Sequence, residues 1–170
     1  MILLEDTRNK PGHHKNIKAY CEQQGIKLVR QALNVGDYML AGPEFGGIKG
    51  DVTVDVKQDV RELAMDCFQD HIRFRNECER AQEQGIKLII LIEEVLPGGR
   101  LTNWKPPLDR FGRPACKFDP AVLRKVMITM QERYGVLFRF CDGRSTGRIL
   151  IEHLKGEREH EYQGDQKKDD

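Results

Sequence analysis

The sequence lacks a charge excess, paired cysteines and any long apolar run, and each lack argues against a class of function. Its 170 residues carry 28 Lys and Arg against 27 Asp and Glu, a formal net charge of +1. Global charge therefore says nothing about nucleic acid. The segment from Gly156 onward holds six acids and three bases, which leaves the rest of the chain only mildly basic. The five cysteines, Cys21, Cys67, Cys78, Cys116 and Cys141, are scattered and include no CxxC pair. That argues against a structural zinc site and leaves them as core or surface filler. No apolar run approaches the ~20 residues of a spanning helix. Met1-Ile2-Leu3-Leu4 runs straight into Glu5 and Asp6, unlike a secretory leader. An intracellular setting is expected, cytoplasmic or nucleoid-associated, or nuclear in a eukaryote, with no membrane partner.

What is present suits one domain with a real core: 39% of residues are apolar and 32% charged, ordinary values for an α/β protein. The periodicity predicts strands over 2–5, 26–33, 38–40, 52–56, 86–92 and 136–141. Helices are expected over 13–24, 59–68, 70–84, 121–134 and from Ser145 or Thr146 to about Lys155. Asp59 with Glu62 fits a capping box, and Asp119-Pro120 places an N-cap before a proline at the first helical position. Ile86–Ile92, bounded by Gly85 and Glu93-Glu94, reads as a buried central strand. Right-handed crossovers around a central hairpin then give a mixed central sheet with helices on both faces. The glycine-rich connection over 41–50 closes the hairpin loosely, 95–118 reads as an irregular insertion in a domain spanning 1–155, and 156–170 as a charged, disordered tail.

The hairpin carries the chemistry. Val52, Val54 and Val56 alternate with Asp51, Thr53, Asp55 and Lys57, so the acids and the lysine share one strand face. Asp37 precedes the partner strand. Carboxylates gathered there suit magnesium or manganese, which take oxygen ligands and keep several waters. The Val56 carbonyl is a further candidate ligand. A lysine beside them can orient a water or stabilise a pentavalent phosphorus. D-x-K alone is a weak pattern, and the competing reading is a solvated hairpin face.

The placement sharpens it. Val35-Gly36-Asp37-Tyr38 followed by Asp51-Val52-Thr53-Val54-Asp55-Val56-Lys57 resembles the signature of the XPF-type nuclease domain, a (D/E)xK family with a restriction-endonuclease-like core. Asp6-Thr7-Arg8 on the opening strand, Arg73 and Arg75 on a helix, and an Ile/Leu-rich strand ending in acids agree with it. The resemblance covers residues 1 to 94 and, more weakly, 134 to 155. It implies magnesium- or manganese-dependent endonuclease cleavage of branched, flapped or junction DNA. Asp37, Asp51 and Asp55 would be metal ligands, and Asp37, Asp55 and Lys57 the catalytic set. Asp6, Arg8, Arg73 and Arg75 would support them. DNA is then the partner, and a homodimer is expected. The chain departs from the family pattern at Val56, where the family has arginine, at Arg61, where it has an acid, and at Asn9, where it has glutamate. It also carries no helix-hairpin-helix module, which suits a minimal version of phage or prophage origin. Two alternatives stay open: a non-catalytic DNA-binding or dimerisation subunit of the same fold, and an RNA-directed or repair hydrolase of the wider (D/E)xK group.

Residues 100–117 interleave Arg100, Lys105, Arg110, Arg113 and Lys117 with Trp104 and Phe111, and Phe118 follows, against one acid, Asp109. Cations for phosphates and rings for unstacked bases make this loop a candidate DNA contact. His13, His14 and His71 show no partner pattern and read as surface residues.

Overall fold

The computed structural model describes residues 1–42 and 51–156. Most of the glycine-rich connection, 43–50, and the tail from 157 onward lie outside them. Strands β1 (Ile2–Asp6), β2 (Lys27–Gln31), β3 (Tyr38–Leu40), β4 (Val52–Lys57), β5 (Lys87–Ile92) and β6 (Leu137–Phe140) form one sheet. Their spatial order is β2-β1-β3-β4-β5-β6. β1 runs antiparallel to β3, and β3 antiparallel to β4; the pairs β1–β2, β4–β5 and β5–β6 are parallel. The expected mixed sheet is what forms.

Helices α1 (Lys15–Gln23) and α5 (Thr146–Leu154) pack on one face, and α2 (Val60–Phe68), α3 (His71–Glu83) and α4 (Pro120–Tyr134) on the other. β5 shows why both faces need cover. Ile89 and Leu91 enter the core with Ile17, Cys21 and Leu150, whereas Leu88, Ile90 and Ile92 enter the core with Leu63, Phe74 and Leu123. A strand buried on both sides must read as a continuous apolar run. The two helices expected over 59–68 and 70–84 form as α2 and α3, separated at Gln69-Asp70.

The ends follow local chemistry. Asp59 accepts from the Glu62 amide at 3.0 Å, and the Glu62 carboxylate reaches back to the Gln58 amide at 2.7 Å. That is a capping box displaced by one residue. The Asp119 side chain accepts from the Ala121 amide at 2.8 Å, and Gly135 ends α4 in the left-handed conformation. Residues 95–118 are more ordered than an irregular insertion. Two 3-10 turns, Pro97–Gly99 and Leu101–Asn103, precede a small hairpin bridged at Leu108 and Pro114.

Candidate metal-dependent site at the β3–β4 hairpin

Strand alternation sends Val54 and Val56 into the α1/α5 core and turns Thr53, Asp55 and Lys57 towards α2 and α3. Asp55 is 5% exposed and Lys57 7%. The face is buried, so it is not a solvated hairpin surface; charges taken out of water to this degree need partners.

Lys57 has two. Its ammonium lies 2.9 Å from Asp55 and 2.6 Å from Asp66 of α2. Burial pulls the Lys57 pKa down, but the charges of Asp55 and Asp66 outweigh that and hold it above the ordinary value. The group stays cationic and can donate protons in hydrogen bonds, but it is no general base at neutral pH. The far oxygen of Asp66 accepts from Arg73 of α3 at 2.8 Å. Through Asp66, Arg73 is thus tied to the same cluster, although its own side chain is mostly exposed.

Asp37 is fixed from several sides. Its amide donates to Val54 O at 2.9 Å, its carbonyl accepts from the Asp6 amide at 2.8 Å, and its Oδ2 accepts from the Val56 amide at 2.9 Å. Burial and the neighbouring Asp55 charge push its carboxyl well above the ordinary range, despite the Val56 amide. Glu77 of α3 accepts from the Gly36 amide at 2.9 Å; burial, then Asp55, raises its pKa too. The turn before β3 is therefore held by α3 on one side and by Thr53 beneath it. The Thr53 hydroxyl lies 3.0 Å from the carbonyls of Val35 and Tyr38, to either of which it donates.

Gly36 makes this turn possible. Its φ is +69°, and a Cβ there would stand 2.2 Å from Thr53 Oγ1. Gly36→Ala is expected to cost at least about 1–2 kcal/mol from the left-handed backbone alone, with the clash added. Urea titration followed by circular dichroism measures it, and an unchanged midpoint would remove the argument.

Two acids in contact, sharing no cation of their own beyond Lys57, suit a divalent ion. Asp37 and Asp55 offer hard oxygen donors, and magnesium takes one or two carboxylates together with waters and substrate phosphate. The expected trio does not form. Asp51 is exposed and precedes β4. It lies four positions before Asp55, about 13 Å at ~3.3 Å per residue. Among the described residues no three His, Cys, Asp or Glu side chains are placed to hold one ion.

The other expected residues divide. Asp6 is buried and pairs with Arg8, which also donates to Leu33 O at 3.0 Å. Burial raises the Asp6 carboxyl, but the bonds from Arg8 outweigh it and hold it below the ordinary value. This pair sits one backbone hydrogen bond from Asp37. Arg75 faces away, 3.6 Å from Glu79 on the half-exposed side of α3. His14 is not a surface residue. It is buried, with Nδ1 2.8 Å from the Tyr38 hydroxyl. Tyr38 in turn donates to Glu5 at 3.1 Å. Burial lowers the His14 pKa to about 4.

In the loop, Trp104 is 5% exposed, stacks on Phe118 at 5.2 Å and donates from Nε1 to Glu94 at 2.5 Å. Trp104 is thus spent on anchoring the loop and offers no face to a base. Arg100, Lys105, Arg110, Arg113 and Lys117 are all exposed.

Asp66 and Glu77 escaped the sequence reading. Each had a signal: an acid one helical turn from Leu63 in α2, and an acid one turn from Phe74 in α3, both next to buried cysteines.

The comparisons with known proteins agree with this frame. No curated protein matches the chain by sequence. XPF from Aeropyrum pernix superposes with a TM-score of 0.61 at 17% identity, over 94% of this chain and 66% of that one. The structure of XPF from Aeropyrum pernix in complex with DNA gives 0.60 at 18% identity, over 92% and 64%. The chain thus spans just under two thirds of the length of those structures, and at such identity the likeness is one of fold, the restriction-endonuclease-like core. The sequence model of the ERCC4 domain matches residues 6–152, a range that takes in every strand after β1, the first four helices and most of α5, and the chain belongs to the ERCC4 domain family of XPF-type nuclease domains.

Proposed function

We propose that the chain is a divalent-metal-dependent endonuclease that hydrolyses DNA phosphodiester bonds, at branched, flapped or junction DNA. The single observation that carries this reading is the approach of half-buried Asp37 to buried Asp55, with Lys57 held beside it. Family membership and the fold shared with an XPF solved on DNA support it.

Magnesium or manganese held by Asp37 and Asp55 would supply a more acidic water and neutralise charge on the phosphate. The chain's own residues do the rest. Lys57 keeps its proton and donates a charge-assisted hydrogen bond, to the attacking water or to a non-bridging oxygen as negative charge grows there. Asp66 holds the ammonium in place from behind. Arg73 lines a cleft with Gln69, Asp70, Ile72, Asn76 and Arg80, where a guanidinium can meet a backbone phosphate.

The test is incubation of the protein with fork, flap, junction and linear duplex DNA in magnesium, manganese or EDTA. Cleavage that needs the metal and disappears in Asp55→Ala supports the reading. Metal-independent binding with no cleavage of any substrate would leave a DNA-binding subunit in its place. Asp51→Ala is expected to cleave within about threefold of wild type, since an exposed carboxylate that far along the strand contributes only a weak screened charge.

A further inference from the structure

The hairpin at Leu108–Pro114 is a feature that the site does not use. The Asp109 amide donates to Arg113 O at 2.7 Å, and the Ala115 amide to Pro107 O at 2.8 Å. Inside the turn, Asp109 Oδ1 accepts from the amides of Phe111 and Arg113 at 2.7 and 2.9 Å. The one acid of the loop is thus engaged in closing its tip. Below the tip, Trp104 and Phe118 root the loop on the core, with Phe118 6.1 Å from Phe68 of α2. The loop leaves the sheet after β5, at the end where Lys57 closes β4.

At the tip, Phe111 is 66% exposed and Leu108 65%. The guanidinium of Arg110 lies over the Phe111 ring, 4.7 Å from its centre, and that of Arg113 lies over it at 5.7 Å. An exposed ring carrying two cations, on a short braced hairpin, meets the needs of one ligand class. A flat base stacks on the ring in place of a guanidinium, and the displaced guanidiniums take the neighbouring phosphates. A paired base in a duplex shows no open face, so the base must be unpaired.

We propose that Leu108–Pro114 is a finger that stacks Phe111 on an unpaired nucleobase, with Arg110 and Arg113 on the flanking phosphates. This rests on the DNA reading above and adds to it a strand-state reader separate from the metal site. Charge favours this occupant over a protein partner, because the finger carries two guanidiniums against one carboxylate, and that carboxylate accepts from two amides of its own turn.

Binding in EDTA separates the finger from cleavage. The probes are fluorescein-labelled oligo-dT of about twenty nucleotides and a blunt duplex of similar length, read by anisotropy. Phe111→Ala is expected to weaken oligo-dT binding by about 5- to 100-fold and to leave the blunt duplex unchanged. Phe111→Trp should retain or tighten oligo-dT binding, whereas Phe111→Leu, apolar without a π-face, should behave like alanine. Arg110→Gln with Arg113→Gln should weaken the oligo-dT and flatten its salt dependence. If wild type binds DNA but Phe111→Ala binds oligo-dT equally well, the finger is wrong and the nuclease reading stands. If wild type binds neither probe, both fail. A Phe111→Ala change in oligomeric state, with DNA affinity unmoved, would assign the tip to a second copy and overturn the proposal.

Discussion

Lys57→Met is expected to lower the cleavage rate by about 10²–10³-fold and, separately, to destabilise the fold by about 3–5 kcal/mol. Both effects follow from one ammonium with two carboxylates. On the chemical side, the proton it donates has no substitute: Arg73 is the nearest cation tied to the cluster, and its bond to Asp66 holds it on the far side of that carboxylate. On the structural side, removing Lys57 leaves Asp55 and Asp66 facing each other across the space it filled, at 5% exposure each. Breaking a buried pair strands a charge, and that costs more than the pair contributed.

The two effects can be pulled apart. Adding Asp66→Leu to Lys57→Met removes one stranded carboxylate, so stability should partly return, while cleavage should stay at the level of the single variant. Chemical denaturation and a single-turnover assay on a flap substrate read the two quantities independently. Asp66→Asn alone is the complementary case. It keeps an oxygen for Lys57 but loses the charge that anchors it, and it should slow cleavage with a smaller loss of stability. Cleavage by Lys57→Met at the wild-type rate would show that the lysine is a structural counter-ion only.

The sheet was legible because its signals are local. β4 shows strict alternation, β5 an unbroken apolar run, and each helix an end marked by an acid cap or a glycine. The pair Asp55 and Lys57 was legible for the same reason, since parity on a strand is countable. Distance along the strand is countable too, and it separates Asp51 from Asp55 although both have the same parity. The rest of the cluster depends on contacts between elements. Asp66 and Glu77 look like ordinary helix acids until α2 and α3 are packed against β4, and only then do they meet Lys57 and Gly36. Trp104 and Phe111 illustrate the same limit from the other side. Both are rings in a cationic loop. Which one is rooted and which one is free is decided by Glu94 and Phe118, whose positions relative to Trp104 no spacing rule supplies. His14 has no apolar neighbours in sequence that mark it as buried, and its contact with the Tyr38 hydroxyl exists only once the start of α1 is packed beside β3.

Asp37→Asn is expected to abolish cleavage and yet to raise the melting temperature of the metal-free protein by several degrees. The carboxylates of Asp37 and Asp55 meet in a largely dry site, and burial together with the Asp55 charge holds the Asp37 carboxyl well above its ordinary value of 3.8. A folded-state pKa raised above the unfolded one means stability that is fully present below the unfolded pKa. It is lost as pH rises through the folded one. Above the ordinary carboxylate pKa the metal-free wild type therefore folds at a cost, either as repulsion of the pair or as the proton Asp37 retains to avoid it. Asparagine removes it without disturbing the turn, because its side-chain oxygen still accepts from the Val56 amide and its nitrogen can donate to Asp55.

Magnesium or manganese should do for wild type what asparagine does for the variant. Added metal is expected to raise the wild-type melting temperature by mass action and to leave that of Asp37→Asn nearly unmoved. In the absence of metal, wild-type stability should fall as pH is raised from 4 to 8 by more than that of the variant. Thermal melts with EDTA, magnesium and manganese at each pH measure all of this without any DNA present. A metal-free Asp37→Asn that melts below wild type would mean that the Asp37 carboxylate is held by cations rather than opposed by Asp55. The pair would then lose its standing as the metal site, because the cost of gathering two carboxyls in the empty site is what a divalent ion relieves on binding.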